Sequence, residues 1–124
     1  LDEAAGRLGA DPARVHVTGL SMGGMGAWWL GLLAPERFAS VVPVCGLVPP
    51  VAGLGPRLER LARRPVWAFH GEEDAVVPVA ESRRMVGWLR ERGGRPRLTT
   101  YPGVGHTAWE QAYAEPSLRA WLLG

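Results

Sequence analysis

A chain of 124 residues has room for one domain. Its 47% hydrophobic content is that of a folded globular chain and excludes a disordered one. With a formal net charge of only +2 and no run of eighteen apolar residues, the sequence points to neither a polyanion-binding surface nor a transmembrane helix.

In chain order, Leu1, Ala4, Ala5 and Leu8 recur at helical spacing, and Gly9 stops them. Opening inside a helical pattern, the sequence has the look of part of a longer domain. Asp11-Pro12 marks a turn into a strand, Val15–Thr18, whose valines alternate with His16 and Thr18. Gly19-Leu20-Ser21-Met22-Gly23 follows at once, and a helix runs from about Gly24 to Ala34, ending at Pro35. A G-x-S-x-G sequence between a strand and a helix fits a nucleophile elbow, in which a strained turn pushes the serine hydroxyl clear of the backbone. Glycine is expected at both flanks, Gly19 and Gly23, because a Cβ at either would clash in so tight a turn. The helix directs its N-terminal amides and positive dipole end at Ser21.

Phe38–Cys45 reads as a second strand, apolar enough to be buried on both faces, as parallel strands are. Cys45, the only cysteine, excludes an internal disulfide and a cysteine-based zinc site, and is read as a small buried hydrophobe. A loop rich in proline and glycine spans 46–55, and a short helical pattern follows at Leu54, Leu58, Leu61 and Ala62. Pro65–Gly71 is a third strand, Ala80–Arg92 an amphipathic helix stopped by Gly93-Gly94, and Arg97–Tyr101 a fourth strand. Trp109 to Leu123 is helical, with an interruption at Pro116. Strands alternating with helices specify an α/β domain with a parallel sheet of about four strands. All fourteen basic residues are arginine, and glutamates interleave with them, so they read as solvated helix faces and no nucleic-acid partner is expected.

A serine hydroxyl attacks a carbonyl only when a base takes its proton and an acid holds that base in the right tautomer. The only aspartate after Ser21 is Asp74, and the only histidine after Asp74 is His106. Each lies just beyond a strand, Asp74 in Gly71-Glu72-Glu73-Asp74 and His106 in Gly103-Val104-Gly105-His106. In open parallel sheets, ligands bind beyond the carboxyl ends of the strands. Ser21 is therefore expected to be the nucleophile, Asp74 the acid and His106 the base. The Met22 amide is expected to donate to an oxyanion, with a second donor to come from a loop not in this sequence. His16, inside a strand and ahead of the serine, is read as structural. His70 is read first as a packing or supporting residue and more remotely as substrate-lining. Trp109, next to the histidine, is the tryptophan placed to line the site, whereas Trp28, Trp29, Trp67, Trp88 and Trp121 fit core positions. Glu72 and Glu73 are understudies for the acid, and Glu110 has no assigned role.

Gly19-Leu20-Ser21-Met22-Gly23-Gly24-Met25-Gly26, His70-Gly71-Glu72-Glu73-Asp74-Ala75-Val76-Val77-Pro78 and Gly103-Val104-Gly105-His106 resemble the α/β-hydrolase superfamily. Within it they are similar to the dienelactone-hydrolase, prolyl-oligopeptidase-like and phospholipase/carboxylesterase group, nearest to predicted peptidases and feruloyl-type esterases. The resemblance covers nearly all of the chain but only the C-terminal half of that domain, so residues 1–124 are expected to be a partial domain lacking the N-terminal strands and oxyanion loop. It implies a serine hydrolase that needs no cofactor and no metal and acts on a small-molecule ester or short peptide. Peptidase, acyltransferase and non-catalytic binding readings stand as alternatives. Cys45-Gly46 runs into a short loop, Leu47-Val48-Pro49-Pro50, which leaves little room for a cap, so an open site is expected. No membrane partner is expected, and no compartment is assigned, cytoplasmic and secreted placements both being open.

Overall fold

The computed structural model describes Leu1–Gly124. Four strands, β1 (His16–Leu20), β2 (Ser40–Val44), β3 (Trp67–Gly71) and β4 (Arg97–Tyr101), form one sheet in the order β1-β2-β3-β4, with every pair parallel. Six helices surround it: α1 (Asp2–Leu8), α2 (Met22–Leu33), α3 (Leu54–Leu61), α4 (Ala80–Glu91), α5 (Trp109–Tyr113) and α6 (Pro116–Leu123). The expected α/β class and four-strand sheet are present. The elbow differs slightly from expectation: β1 runs on through Gly19-Leu20, and α2 begins immediately after Ser21.

Alternation along each strand sorts the side chains between two cores. Val41 and Ala68 face the larger core, made with Trp28 and Leu32 of α2, Leu54, Leu58 and Leu61 of α3, and Met85, Val86 and Leu89 of α4. Val42, Val44, Trp67 and Phe69 face the smaller one, closed by Ala112 of α5 and Leu118 of α6. Strands covered on both sides are mostly apolar, and all five residues of β2 and all five of β3 are buried, Ser40 and His70 being the polar ones. Trp28 and Trp67 lie fully inside, and Trp29, Trp88 and Trp121 pack against the two cores, as expected.

Pro43 stands in the middle of β2, where a proline removes a ladder hydrogen bond. The amides of Val41 and Cys45 reach across to Pro65 and Phe69 of the β3 side. Pro43, midway between them on the same side, has no N–H to give, and the β2–β3 ladder is broken there. The β1–β2 and β3–β4 ladders are continuous over five residue pairs each. No helix is long and apolar enough to cross a membrane.

Candidate active site

Because the strands are parallel, residues just past their C-terminal ends gather at one edge of the sheet. Ser21 follows β1, Cys45 follows β2, Asp74 lies in the turn after β3, and His106 lies in the loop after β4. Ser21 has φ 54° and ψ −114°, a conformation that L-residues avoid unless their surroundings impose it. Its amide donates to the Val44 carbonyl at 3.0 Å, and its carbonyl accepts from Met25 at 3.1 Å, so the turn is pinned to β2 and to the first turn of α2.

Tight packing imposes this geometry. A Cβ on Gly19 would sit 2.2 Å from the Gly23 carbonyl oxygen, which accounts for the first glycine of the motif. The clash expected at Gly23 is absent: a Cβ there would meet nothing within 4 Å. Gly23 supplies the backbone against which Gly19 is pressed. The second position without room is instead Gly24, whose Cβ would lie 2.4 Å from the Val44 carbonyl oxygen.

The Ser21 hydroxyl lies 2.7 Å from His106 Nε2, and His106 Nδ1 lies 2.8 Å from Asp74 Oδ2. A carboxylate only accepts, so Nδ1 carries the ring proton and Nε2 is left to accept from Ser21 Oγ–H. The other carboxylate oxygen, Oδ1, accepts from the amides of Val76 at 2.9 Å and Val77 at 2.8 Å. Burial, the largest influence, pushes the Asp74 carboxyl up, but the hydrogen bonds from His106, Val77 and Val76 together outweigh it and hold it below its ordinary value. The Asp74 side chain is fully enclosed, and that of His106 is one-fifth exposed. The Glu72 carboxylate is engaged elsewhere, accepting from Thr100 at 3.0 Å and pairing with Arg83.

Met22 is the first residue of α2, where amides have no intrahelical partner, and the residue is 78% exposed beside Ser21. Trp109 stands edge-on to the His106 ring, with centroids 5.6 Å apart. His70 is not substrate-lining. It is fully enclosed, with Nδ1 at 2.7 Å from Ser82 Oγ and Nε2 at 2.7 Å from the Val77 carbonyl, because alternation along β3 turns it inward toward α4. His16, read as structural, bonds Ser40 Oγ through Nδ1 at 2.6 Å.

Cys45 does more than fill space. Its φ is 42°, and its buried thiol lies 3.5 Å from the His106 carbonyl oxygen, at the back of the site. Burial, with help from the Asp74 charge, pushes that thiol up, so it is a poor nucleophile. Cys45, Asp74 and His106 bring three donor atoms within 4.8 Å of one another, but those of Asp74 and His106 are already engaged with each other and with Ser21. Gly71 was also missed by sequence reasoning: a Cβ there would lie 2.2 Å from the Gly105 carbonyl oxygen, so this glycine lets the acid turn and the histidine loop meet. The doublets His70-Gly71 and Cys45-Gly46 were the available signals. None of the larger surface depressions is lined by Ser21, Asp74 or His106, and one of about 430 Å³ lies at the opposite end of the strands, among Arg63, Arg64, Arg95 and Arg97.

Residues 3–116 match the phospholipase/carboxylesterase family model. The chain is 32% identical over 98 residues to acyl-protein thioesterase 1 of Neurospora crassa, covering 77% of this chain and 40% of that protein. It is 28% identical over 119 residues to the carboxylesterase SOBER1 of Arabidopsis thaliana, covering 94% of this chain and 52% of that one. The crystal structure of a thermostable esterase superposes with a TM-score of 0.85 at 34% identity, over 98% of this chain and 35% of the esterase chain. The chain thus spans about half the length, or less, of the relatives it matches. With this fold, these motifs and a family match across most of its length, the chain belongs to the phospholipase/carboxylesterase family of α/β-hydrolases.

Proposed function

We propose that this chain carries the catalytic residues of a serine hydrolase that cleaves carboxylic esters through an acyl-enzyme. The observation that carries the reading is the continuous hydrogen-bonded chain from Ser21 Oγ through His106 to Asp74, with links of 2.7 and 2.8 Å. Family membership supports esters over amides. Ser21 Oγ attacks the carbonyl carbon while His106 Nε2 takes its proton, and the carbonyl electron pair moves onto oxygen. Asp74 fixes the tautomer and stabilises the imidazolium that forms. The oxyanion accepts from the Met22 amide at the positive end of α2. Collapse breaks the ester C–O bond, and His106 returns the proton to the departing alcohol. Water then attacks the acyl-serine, giving its proton to His106, and collapse releases the acid as that proton returns to Ser21.

The substrate side of the reading is a small or extended ester in an open site. The loop after Gly46 is short, Met22 and Val76 are 78% and 69% exposed, and Trp109 offers an aromatic wall beside His106. The second oxyanion donor is not assigned to any residue of 1–124. A fluorophosphonate probe tests the nucleophile by intact mass: the wild-type chain gains one adduct and Ser21→Ala gains none. Unchanged labelling of Ser21→Ala overturns the reading, as does no labelling of a folded wild-type protein that also carries the second oxyanion donor. Rates on an ester and an amide of the same acyl group separate esterase from peptidase.

A further inference from the structure

Behind Asp74 lies a second imidazole that the proposed chemistry does not use. His70 is fully buried at the end of β3, and its Nε2 approaches two oxygens, the Val77 carbonyl at 2.7 Å and Asp74 Oδ2 at 3.4 Å. A carbonyl can only accept, so Nε2 carries the proton. Nδ1, at the other end of the ring, is hydrogen-bonded to Ser82 Oγ on α4 at 2.7 Å. The ring is therefore held at both ends, with its N–H edge turned toward the acid turn. Asp74 Oδ1 binds the amides of Val76 and Val77 from one side, and His70 binds the carbonyl of the same Val77 from the other.

We propose that His70 is the positioning residue of the acid: as an Nε2–H donor whose other ring nitrogen is held by Ser82, it clamps the Asp74–Val77 turn through the Val77 carbonyl and so keeps Asp74 Oδ2 aimed at His106. The proposal rests on the reading of Ser21, His106 and Asp74 as the reacting set. Packing alone would need only the volume of the ring. The clamp needs a hydrogen on the atom facing Val77, and this difference can be tested. His70→Leu keeps the bulk and removes the donor. His70→Gln restores an N–H at about the position of Nε2. Ser82→Ala leaves the ring in place and frees Nδ1.

The readout is the proton resonance of His106 Nδ1–H, which a short bond to a carboxylate moves far downfield, recorded on the 124-residue chain and assigned by its disappearance in Asp74→Asn. The expected result is a sharp signal in the wild type and in His70→Gln, loss of the signal in folded His70→Leu, and a broadened one in Ser82→Ala. Labelling of Ser21 by the fluorophosphonate should slow about tenfold to a hundredfold in His70→Leu, the scale that a displacement of about 1 Å produces at a reacting group. A wild-type signal that persists unchanged in folded His70→Leu overturns the clamp while leaving the reacting set intact. A wild type without the signal removes the Asp74–His106 bond on which both readings stand. If His70→Leu does not fold, His70→Gln decides, and absence of the signal from its folded form refutes the donor role.

Discussion

At Gly71 there is no room for a methyl group, and the reason is functional geometry. The strand that leads to Asp74 and the loop that carries His106 touch there, backbone to backbone, and a Cβ would lie 2.2 Å and 2.4 Å from the carbonyl oxygens of Gly105 and Val104. Gly71→Ala must push these loops apart, so a loss of about 1–3 kcal/mol or more is expected, read as a lower thermal midpoint. Gly24→Ala should behave alike, being pressed on Val44. Gly23→Ala should not, because the space around it is open and alanine favours a helix over glycine by up to about 1 kcal/mol. A Gly23→Ala chain that melts as low as Gly24→Ala would contradict this ranking. Residue chemistry explains what was legible here. Ser21, Asp74 and His106 are the types that acyl transfer demands, and chain order left one histidine and one aspartate, with Glu72 and Glu73 as understudies for the acid. Which glycine of Gly23-Gly24 faces β2 depends on how α2 sits on the sheet, and the Val77 carbonyl that engages His70 is a backbone atom that no side-chain pattern reveals.

The turn from Gly71 to α4 is the element in which acid strength and fold stability meet. Asp74 Oδ1 holds two backbone amides and Oδ2 holds His106, so the folded chain favours the ionised carboxyl and keeps it below its ordinary value. The resulting stabilisation is present above the unfolded value of about 3.9 and is lost as pH falls through the lower folded value. Asp74→Asn lacks it. The stability gap between wild type and Asp74→Asn, from urea unfolding, should be widest near neutral pH and shrink once pH drops below about 3.9. A gap that stays constant down to about pH 2 would mean that these bonds do not favour the charged form. Elements were legible in type because β2 and β3 are largely apolar runs, β1 alternates valines with polar residues, and the helices before Gly9, Pro35 and Gly93-Gly94 have clear stops. Their ends were less so: β2 was expected over Phe38–Cys45 and spans Ser40–Val44, because its partner β1 starts only at His16. The interruption at Pro116 divides α5 from α6, as expected.

At the scale of the whole molecule, the sheet separates two cores of unequal size, and Ser21, Asp74 and His106 sit just beyond the carboxyl ends of its strands. Fourteen buried residues form the core beneath α2, α3 and α4, and seven form the one beneath α5 and α6. Alternating strands and helices made the parallel sheet legible. Which helices would cover which face was not, since β2 and β3 are apolar on both sides and carry no inside-outside pattern to divide them. The inequality has a consequence for truncations. Leu61 is fully enclosed in the larger core, and its side chain closes on the space above Gly31 of α2. A cavity there is fenced by rigid neighbours and cannot collapse, so Leu61→Ala should cost toward the upper end of about 2–5 kcal/mol. Leu118, on α6, belongs to the smaller core and keeps 5% of its surface exposed, so its loss leaves a less enclosed space. Leu118→Ala should fall toward the lower end of the same range. Urea midpoints of the two variants give the order directly, and a larger loss for Leu118→Ala would mean that enclosure does not set it. Folded molecules of both variants should keep the Ser21–His106–Asp74 bonds, because those residues are set by strand ends and glycine contacts that neither truncation touches.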